Sequence, residues 1–488
     1  MKQLTRAIAL VLGSLGCAAS VHAAGGGPAL SDGRYVIVFK SATLPMDAAL
    51  RIASNGGAVA RGFEQIGVAV ARGDAAFAKR MSRDRAVLAV GVEGMSRLPE
   101  SISMPLAIPE SASTEGAPTA ADTLYNAYQW DMRRIGAPAV WARLPVAATE
   151  PRVAVLDTGV MDNHPDLLGQ VERSVSTAYC NTPGGPSSSA GYPTYSTLID
   201  FDAYPAWSQA DGCTAASTAY ESHGTHVAGT IAANFGGGAV VGVAPDAKVG
   251  AYKVFDRYRY TDPVEGVIED FGAFDGPLFD AIIQATLAGY PVISMSLGGH
   301  LLRSDKSGNA TWLAWDRVTK WANRHGALLV ASSGNAGLDL NGQLAHIPSD
   351  LAAVMSTSAT GTSLLQVVGG AYYAAPGSDV LAFYSNYGSS VDIAAPGGDC
   401  GPTYPSGCAG RHFIANAGIS ASGAATYLLY AGTSMATPHV SAVAAYVRSI
   451  HPEWTPGETR SWLKETAQPI GSRQSFGAGM VDADAAAN

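Results

Sequence analysis

Between Tyr35 and Val92 the chain alternates short apolar runs with polar turns. Tyr35-Val36-Ile37-Val38-Phe39 is continuously apolar and rich in β-branched residues, which predicts a buried strand. Helical spacing follows over Asp47–Ala53, then two strand-like runs ending at Phe63 and Ala71, a helix over Ala75–Ser82 and a last strand over Ala86–Val92. This β-α-β-β-α-β order is the split βαβ pattern of a small α+β, ferredoxin-like domain, placed at 33–99. From 100 to 121 the sequence turns to Ser, Pro, Ala, Thr and Glu with neither period, so a linker open to proteolysis is expected there.

The remainder, 122–488, has a different rhythm. Arg152-Val153-Ala154-Val155-Leu156, Lys248–Phe255, Pro291–Leu297 and Ala327–Ala331 are apolar runs without a polar face, so burial on both sides is expected. Helical segments separate them at His226–Ala233, Leu278–Ala288 and Trp312–His325. The fold class that follows is α/β: a parallel sheet with helices on both faces, preceded by the small α+β domain.

Composition narrows the function. A chain that is 47% hydrophobic and 15% charged is globular, and a net charge of -9 without a basic, aromatic-studded run speaks against nucleic acid as a partner. Lys2 and Arg6 precede the short apolar stretch Ala7–Leu15, and Val21-His22-Ala23 offers a cleavage site, so 1–23 is expected to be an export signal. The stretch is too short to span a bilayer, and the expected product is secreted, monomeric and without stable membrane insertion. Ser14 stands where lipidation of Cys17 would want an aliphatic residue, which argues against a lipid anchor. Beyond the signal, Cys180, Cys213, Cys400 and Cys408 allow three pairings. Cys180–Cys213 with Cys400–Cys408 is favoured, because each bond would close a Gly/Ser/Pro-rich loop with little apolar content. The acidic group Asp262, Glu265, Glu269, Asp270 and Asp275 reads as a solvated face.

Three blocks carry chemistry. Asp157 ends the run Val153–Leu156, at the strand edge where α/β sheets place their sites. His223 opens a helix of small residues in His223-Gly224-Thr225-His226-Val227-Ala228-Gly229. Ser434 opens another in Gly432-Thr433-Ser434-Met435-Ala436-Thr437-Pro438, with Pro438 expected in the first turn, where no N–H is missed. A serine hydroxyl needs a base, imidazole suits that role near neutral pH, and a carboxylate fixes its tautomer. Asn335, after another buried strand, could supply a second donor to an oxyanion beside the helix N-terminus.

Singly, each of these residues has an ordinary reading as a cap, turn or core group. Together, in the order Asp, His, Ser, they resemble the subtilisin-like serine proteases. Further matching motifs are Gly242-Val243-Ala244-Pro245, Ser296-Leu297-Gly298-Gly299, Ser333-Gly334-Asn335-Ala336-Gly337, Phe383–Gly388 and Ala395-Pro396-Gly397. The resemblance implies Ser434 as nucleophile, His223 as base then acid, Asp157 as its orienting carboxylate and Asn335 as oxyanion donor. It implies that Ser296, Leu297 and Gly298 offer a strand edge to protein or peptide substrates, with Ser332, Ser333 and Gly334 as the other wall of the primary pocket. It further implies that the small domain is an inhibitory propeptide removed by self-cleavage. His226 and His439 are not triad members by this matching.

His346 departs from the pattern, standing where the family commonly has a small residue before an aromatic-Pro pair, so the pocket is expected to be shallower or more polar than usual. The turn at Ile347-Pro348 leaves cis and trans open. No cofactor is needed for the chemistry. Calcium is a candidate structural ion, with Asp166 in His164-Pro165-Asp166-Leu167 and Asn126 as ligands, although hard cations want six or more oxygens. An acid-active Ser-Glu-Asp peptidase would replace the His block, an inactive scaffold would lose a triad member, and an α/β-hydrolase esterase would need Gly-x-Ser-x-Gly and another order.

Overall fold

The computed structural model describes residues 33–74, 76–98, 101–106, 123–146, 148–178, 221–236, 238–262, 266–302, 304, 306–420 and 423–488. The export signal and the Cys180–Cys213 pair lie outside them.

The first unit is β1 (Arg34–Phe39), α1 (Ala48–Ser54), β2 (Gly57–Phe63), β3 (Val68–Gly73), α2 (Phe77–Met81) and β4 (Val87–Val92). Its antiparallel sheet runs β2-β3-β1-β4. The unbroken apolar run of β1 has a reason in its period of two. Tyr35, Ile37 and Phe39 pack with Ile52, Phe77 and Met81 of their own unit, while Val36 and Val38 join Phe279 and Trp315 of the larger one. Arg61 pairs with Asp280 at 2.8 Å, and Arg317 donates to the carbonyls of Ser41 and Ile66 across the same junction.

In the larger unit, β7 (Arg152–Asp157), β8 (Thr177–Ala178), β9 (Lys248–Lys253), β12 (Val292–Met295), β14 (Leu328–Ser332) and β16 (Val354–Thr362) pair in parallel. The order is β16-β14-β12-β7-β9-β8, with the antiparallel β19 (Asp379–Leu381) and the parallel β20 (Ile393–Pro396) also on β16. The β17–β18 hairpin (Leu365–Val368, Ala371–Ala374) stands apart from this sheet. Helices α3 (His223–Ala232), α4 (Asp275–Leu287), α5 (Lys306–Arg324) and α6 (Thr433–Ile450) pack against the sheet and one another. The expected α/β class holds, with element ends shifted by a few residues.

Helix α6 runs through the core and is buried over nearly its whole length, which its Ala, Ser and Val content permits. Pro438 is its sixth residue, not part of the first turn as expected. It therefore removes the bond that the Ser434 carbonyl would have accepted.

The segment expected to be an unstructured linker contains a strand. β5 (Met95–Arg97) pairs with β11 (Gly266–Phe274) of the β10–β11 hairpin (β10, Asp256–Asp262) and, through Arg97, with Gly298. β6 (Ile102–Pro105) then pairs with β22 (Ala425–Ala431), partner of β21 (Ile414–Ile419). Composition hid β6 because its partner lies more than 300 positions away. Asp275 is also corrected: it is buried at the start of α4, where Gly94 N donates to Oδ2 and Trp315 Nε1 to Oδ1. Cys400 and Cys408 form the expected disulfide.

Candidate active site

Asp157 is the last residue of β7, and the N–H of Thr158 donates to its Oδ1 at 2.8 Å. The same oxygen lies 2.8 Å from Nδ1 of His223, the first residue of α3. Close approach of the two elements requires Gly224, since a Cβ there would stand 2.2 Å from the Gly159 carbonyl. The carboxylate fixes the imidazole with its proton on Nδ1. Nε2 is then the basic nitrogen, and it is buried without a hydrogen-bond partner among the described residues. Burial opposes the imidazolium, but the charge and hydrogen bond of Asp157, with Glu221 behind them, outweigh it and hold His223 above its ordinary value.

Ser434 is the second residue of α6, and its Oγ lies 3.4 Å from the Ser296 carbonyl rather than on His223. Ser296 answers by donating its hydroxyl to the Ser434 carbonyl at 2.8 Å, the group that Pro438 leaves unpaired. Asn335 accepts from Thr433 N at 2.9 Å and Thr433 Oγ1 at 2.6 Å through Oδ1. This pins the amide with Nδ2 toward Gly432, where a Cβ would come within 3.1 Å of it. The four sequence-predicted residues therefore sit at adjoining strand and helix ends.

The two segments expected to form the pocket walls adjoin, with Ser332 Oγ donating to the Leu297 carbonyl at 3.3 Å. His346 is buried between them, its ring against both Gly298 and Gly334. The Ile347–Pro348 bond is cis. His226 is a structural neighbour: its Nε2 meets the Ile414 carbonyl, its ring packs on Tyr430, and burial lowers it to about 3. His439 is bound to Asp131 inside the core.

Two residues carry more than sequence reasoning gave them. Glu221 accepts from His223 N and Thr158 Oγ1, tying together the backbones that bear the Asp and the His. Burial, with Asp157 nearby, raises its carboxyl. A lone Glu before Ser222 gave no signal. Asn386 accepts from Ala336 N and Leu338 N and donates to the Ser333 carbonyl, so it braces the loop that carries Gly334 and Asn335. It sat in the motif Phe383–Gly388, which was the available signal.

The calcium candidates do not come together. Asn126 accepts from Arg133 Nη2 at 2.7 Å. Asp166 is buried beside His164 and near the Tyr427 hydroxyl and the amides of Ala239 and Val240, its two oxygens lack a hydrogen-bond partner within bonding geometry among the described residues, and burial pushes it up to about 7. Asn126 and Asp166 therefore do not share an oxygen cage of the kind that calcium needs.

The Subtilase family profile matches residues 148–479. An alkaline protease of Alkalihalobacillus alcalophilus is 32% identical over 368 residues, 75% of this chain and 71% of that protein. Subtilisin J of Geobacillus stearothermophilus is 28% identical over 471 residues, 96% of this chain and 93% of that protein. A crystal structure of the epidermin leader peptide processing serine protease of Staphylococcus aureus superposes with a TM-score of 0.67 at 21% identity, over 94% of this chain and 98% of that one, and so shows the fold. The folded sheet, its clustered Asp, His and Ser and these relatives agree, and the chain belongs to the subtilase family of serine peptidases.

Proposed function

We propose that the protein is a secreted endopeptidase made as a self-processing zymogen, with Ser434, His223, Asp157 and Asn335 as its catalytic residues. The 2.8 Å bond between Asp157 and His223, at the end of the strand beside the one that leads to Ser296 and so to Ser434, carries the reading. Ser434 Oγ leaves the Ser296 carbonyl, passes its proton to His223 Nε2 and attacks the peptide carbonyl. Asn335 Nδ2 and the helix N-terminus receive the oxyanion. His223 then gives its proton to the departing amine, and water, deprotonated by the same nitrogen, hydrolyses the acyl-enzyme. No cofactor enters these steps.

Residues 33–98 are the inhibitory propeptide in this reading. Arg97 N donates to the Gly298 carbonyl at 3.2 Å, and β6 joins the strand leading to Ser434. These contacts support a maturation cut between Leu98 and Ser101, at the start of the segment that composition suggested. Ser434→Ala is expected to leave the precursor uncut and to abolish proteolysis; the size, about 10⁶ in kcat, is carried over from subtilisin itself. N-terminal sequencing of wild type fixes the cut, and an active, matured Ser434→Ala protein would overturn the assignment.

A further inference from the structure

We propose that His346 sets the primary specificity of the cleft, selecting a short side chain with an O–H or N–H donor (serine, threonine or asparagine) in the residue before the cleaved bond. This rests on the reading of the cleft given above and names its substrate class.

The space argument comes first. A Cβ on Gly298 would lie 2.3 Å from His346 Cε1, and one on Gly334 would lie 2.8 Å from its Nε2. The imidazole edge therefore fills the gap between the two glycine-lined walls. A side chain entering between them meets the ring early, which leaves no room for Phe or Tyr. The ring cannot easily swing aside. It lies on β15 (Leu344–Ile347), directly opposite His300 of β13 (Gly299–Leu302), with ring centroids 5.1 Å apart.

Hydrogen bonding then fixes what the ring offers. Ser349 Oγ donates to the His346 carbonyl at 3.2 Å and lies 2.9 Å from Nδ1. With that proton on the carbonyl, the oxygen accepts from Nδ1–H, and this tautomer, the one the proposal uses, leaves Nε2 as a bare lone pair. Asn386 Nδ2 spends its two protons on the Ser333 carbonyl at 2.8 Å and on His300 Nε2 at 3.0 Å. None remains for His346, and Nε2 has no hydrogen-bond partner among the described residues. Burial and the neighbouring His300 hold His346 well below its ordinary value, so the ring is neutral near pH 7. A neutral acceptor at a pocket floor favours a donor, is left unpaired by an alkyl group and repels a carboxylate.

The test is a peptide series differing only in the residue before the cut, with Thr, Val, Ser, Asn, Asp and Phe compared by kcat/KM. Thr and Val have the same shape, so a wild-type preference of about tenfold for Thr isolates the hydrogen bond from size. In His346→Gly, Phe is expected to gain about tenfold and the Thr-over-Val preference to vanish. His346→Gln keeps an acceptor without opening the floor, and Ser349→Ala frees the tautomer; the first should retain the Thr preference and the second should weaken it. Equal wild-type rates on Phe and Thr, or an unchanged profile in His346→Gly, would overturn the proposal and leave the serine-protease reading intact. No cleavage of any peptide would overturn both.

Discussion

Ser296 and Ser434 hold each other: the hydroxyl of Ser296 donates to the Ser434 carbonyl at 2.8 Å, and the Ser434 hydroxyl donates to the Ser296 carbonyl at 3.4 Å. Pro438 makes the first bond necessary, because it has no N–H for the carbonyl four residues back. The residue after β12 and the helix bearing the serine are thus tied by two reciprocal hydroxyl-to-carbonyl bonds.

Ser296→Ala is expected to leave that buried carbonyl unpaired and to lower stability by about 1–3 kcal/mol. Adding Pro438→Ala restores a helical donor and should recover part of the loss. Urea unfolding of both variants in a Ser434→Ala background measures this, and strictly additive effects would refute the coupling.

Glu221→Gln removes a negative charge that helps hold the His223 imidazolium. The acid limb of kcat/KM, which reports the free enzyme's base, should move to lower pH while the alkaline limb stays. An unmoved acid limb would confine Glu221 to tethering backbone.

Asp275 joins the small unit to the large one and is pushed up to about 7, first by burial and then by the nearby Glu93. A carboxyl raised in the folded state binds its proton more tightly there than in the unfolded chain. Stability is therefore highest near and below its ordinary value and declines as pH rises toward 7, beyond which the loss is complete. In Ser434→Ala protein the melting temperature should fall from pH 5 to 8, and Asp275→Asn should flatten that slope. A slope unchanged by Asp275→Asn would place its origin elsewhere.

Asp166 obeys the same sign, being raised to about 7 by burial. Asp166→Asn should raise the melting temperature at pH 8 and change little at pH 5, and chelation with EDTA should matter little at either pH. A large loss on mutation, matched by an equal loss with EDTA, would restore calcium to this site.

Much of the site was legible because its chemistry sits in contiguous blocks. Asp157, His223 and Ser434 each end or begin an element whose apolar run or small-residue helix declares itself locally. What escaped depended on distant partners. β6 is a strand only because Ala425–Ala431 lies beside it, and Asp275 is buried only because Gly94 and Trp315 close over it. Asn126 faces Arg133 rather than Asp166, a choice made by tertiary packing. Pro438 was misplaced by the position of the helix start, which a single sequence marks poorly.

Strand β5 meets Gly298 through Arg97 and β6 meets the strand that leads into Ser434, and both belong to the same covalent chain. If the small unit inhibits as proposed, an incoming peptide competes with a strand whose local concentration is set by tether length and does not fall on dilution. On that proposal, blockade of the intact chain is a zero-order property, equal in a crowded and a sparse solution. Once the tether is severed, the same contacts become a two-body equilibrium, and simple dilution into the surroundings begins to release the enzyme.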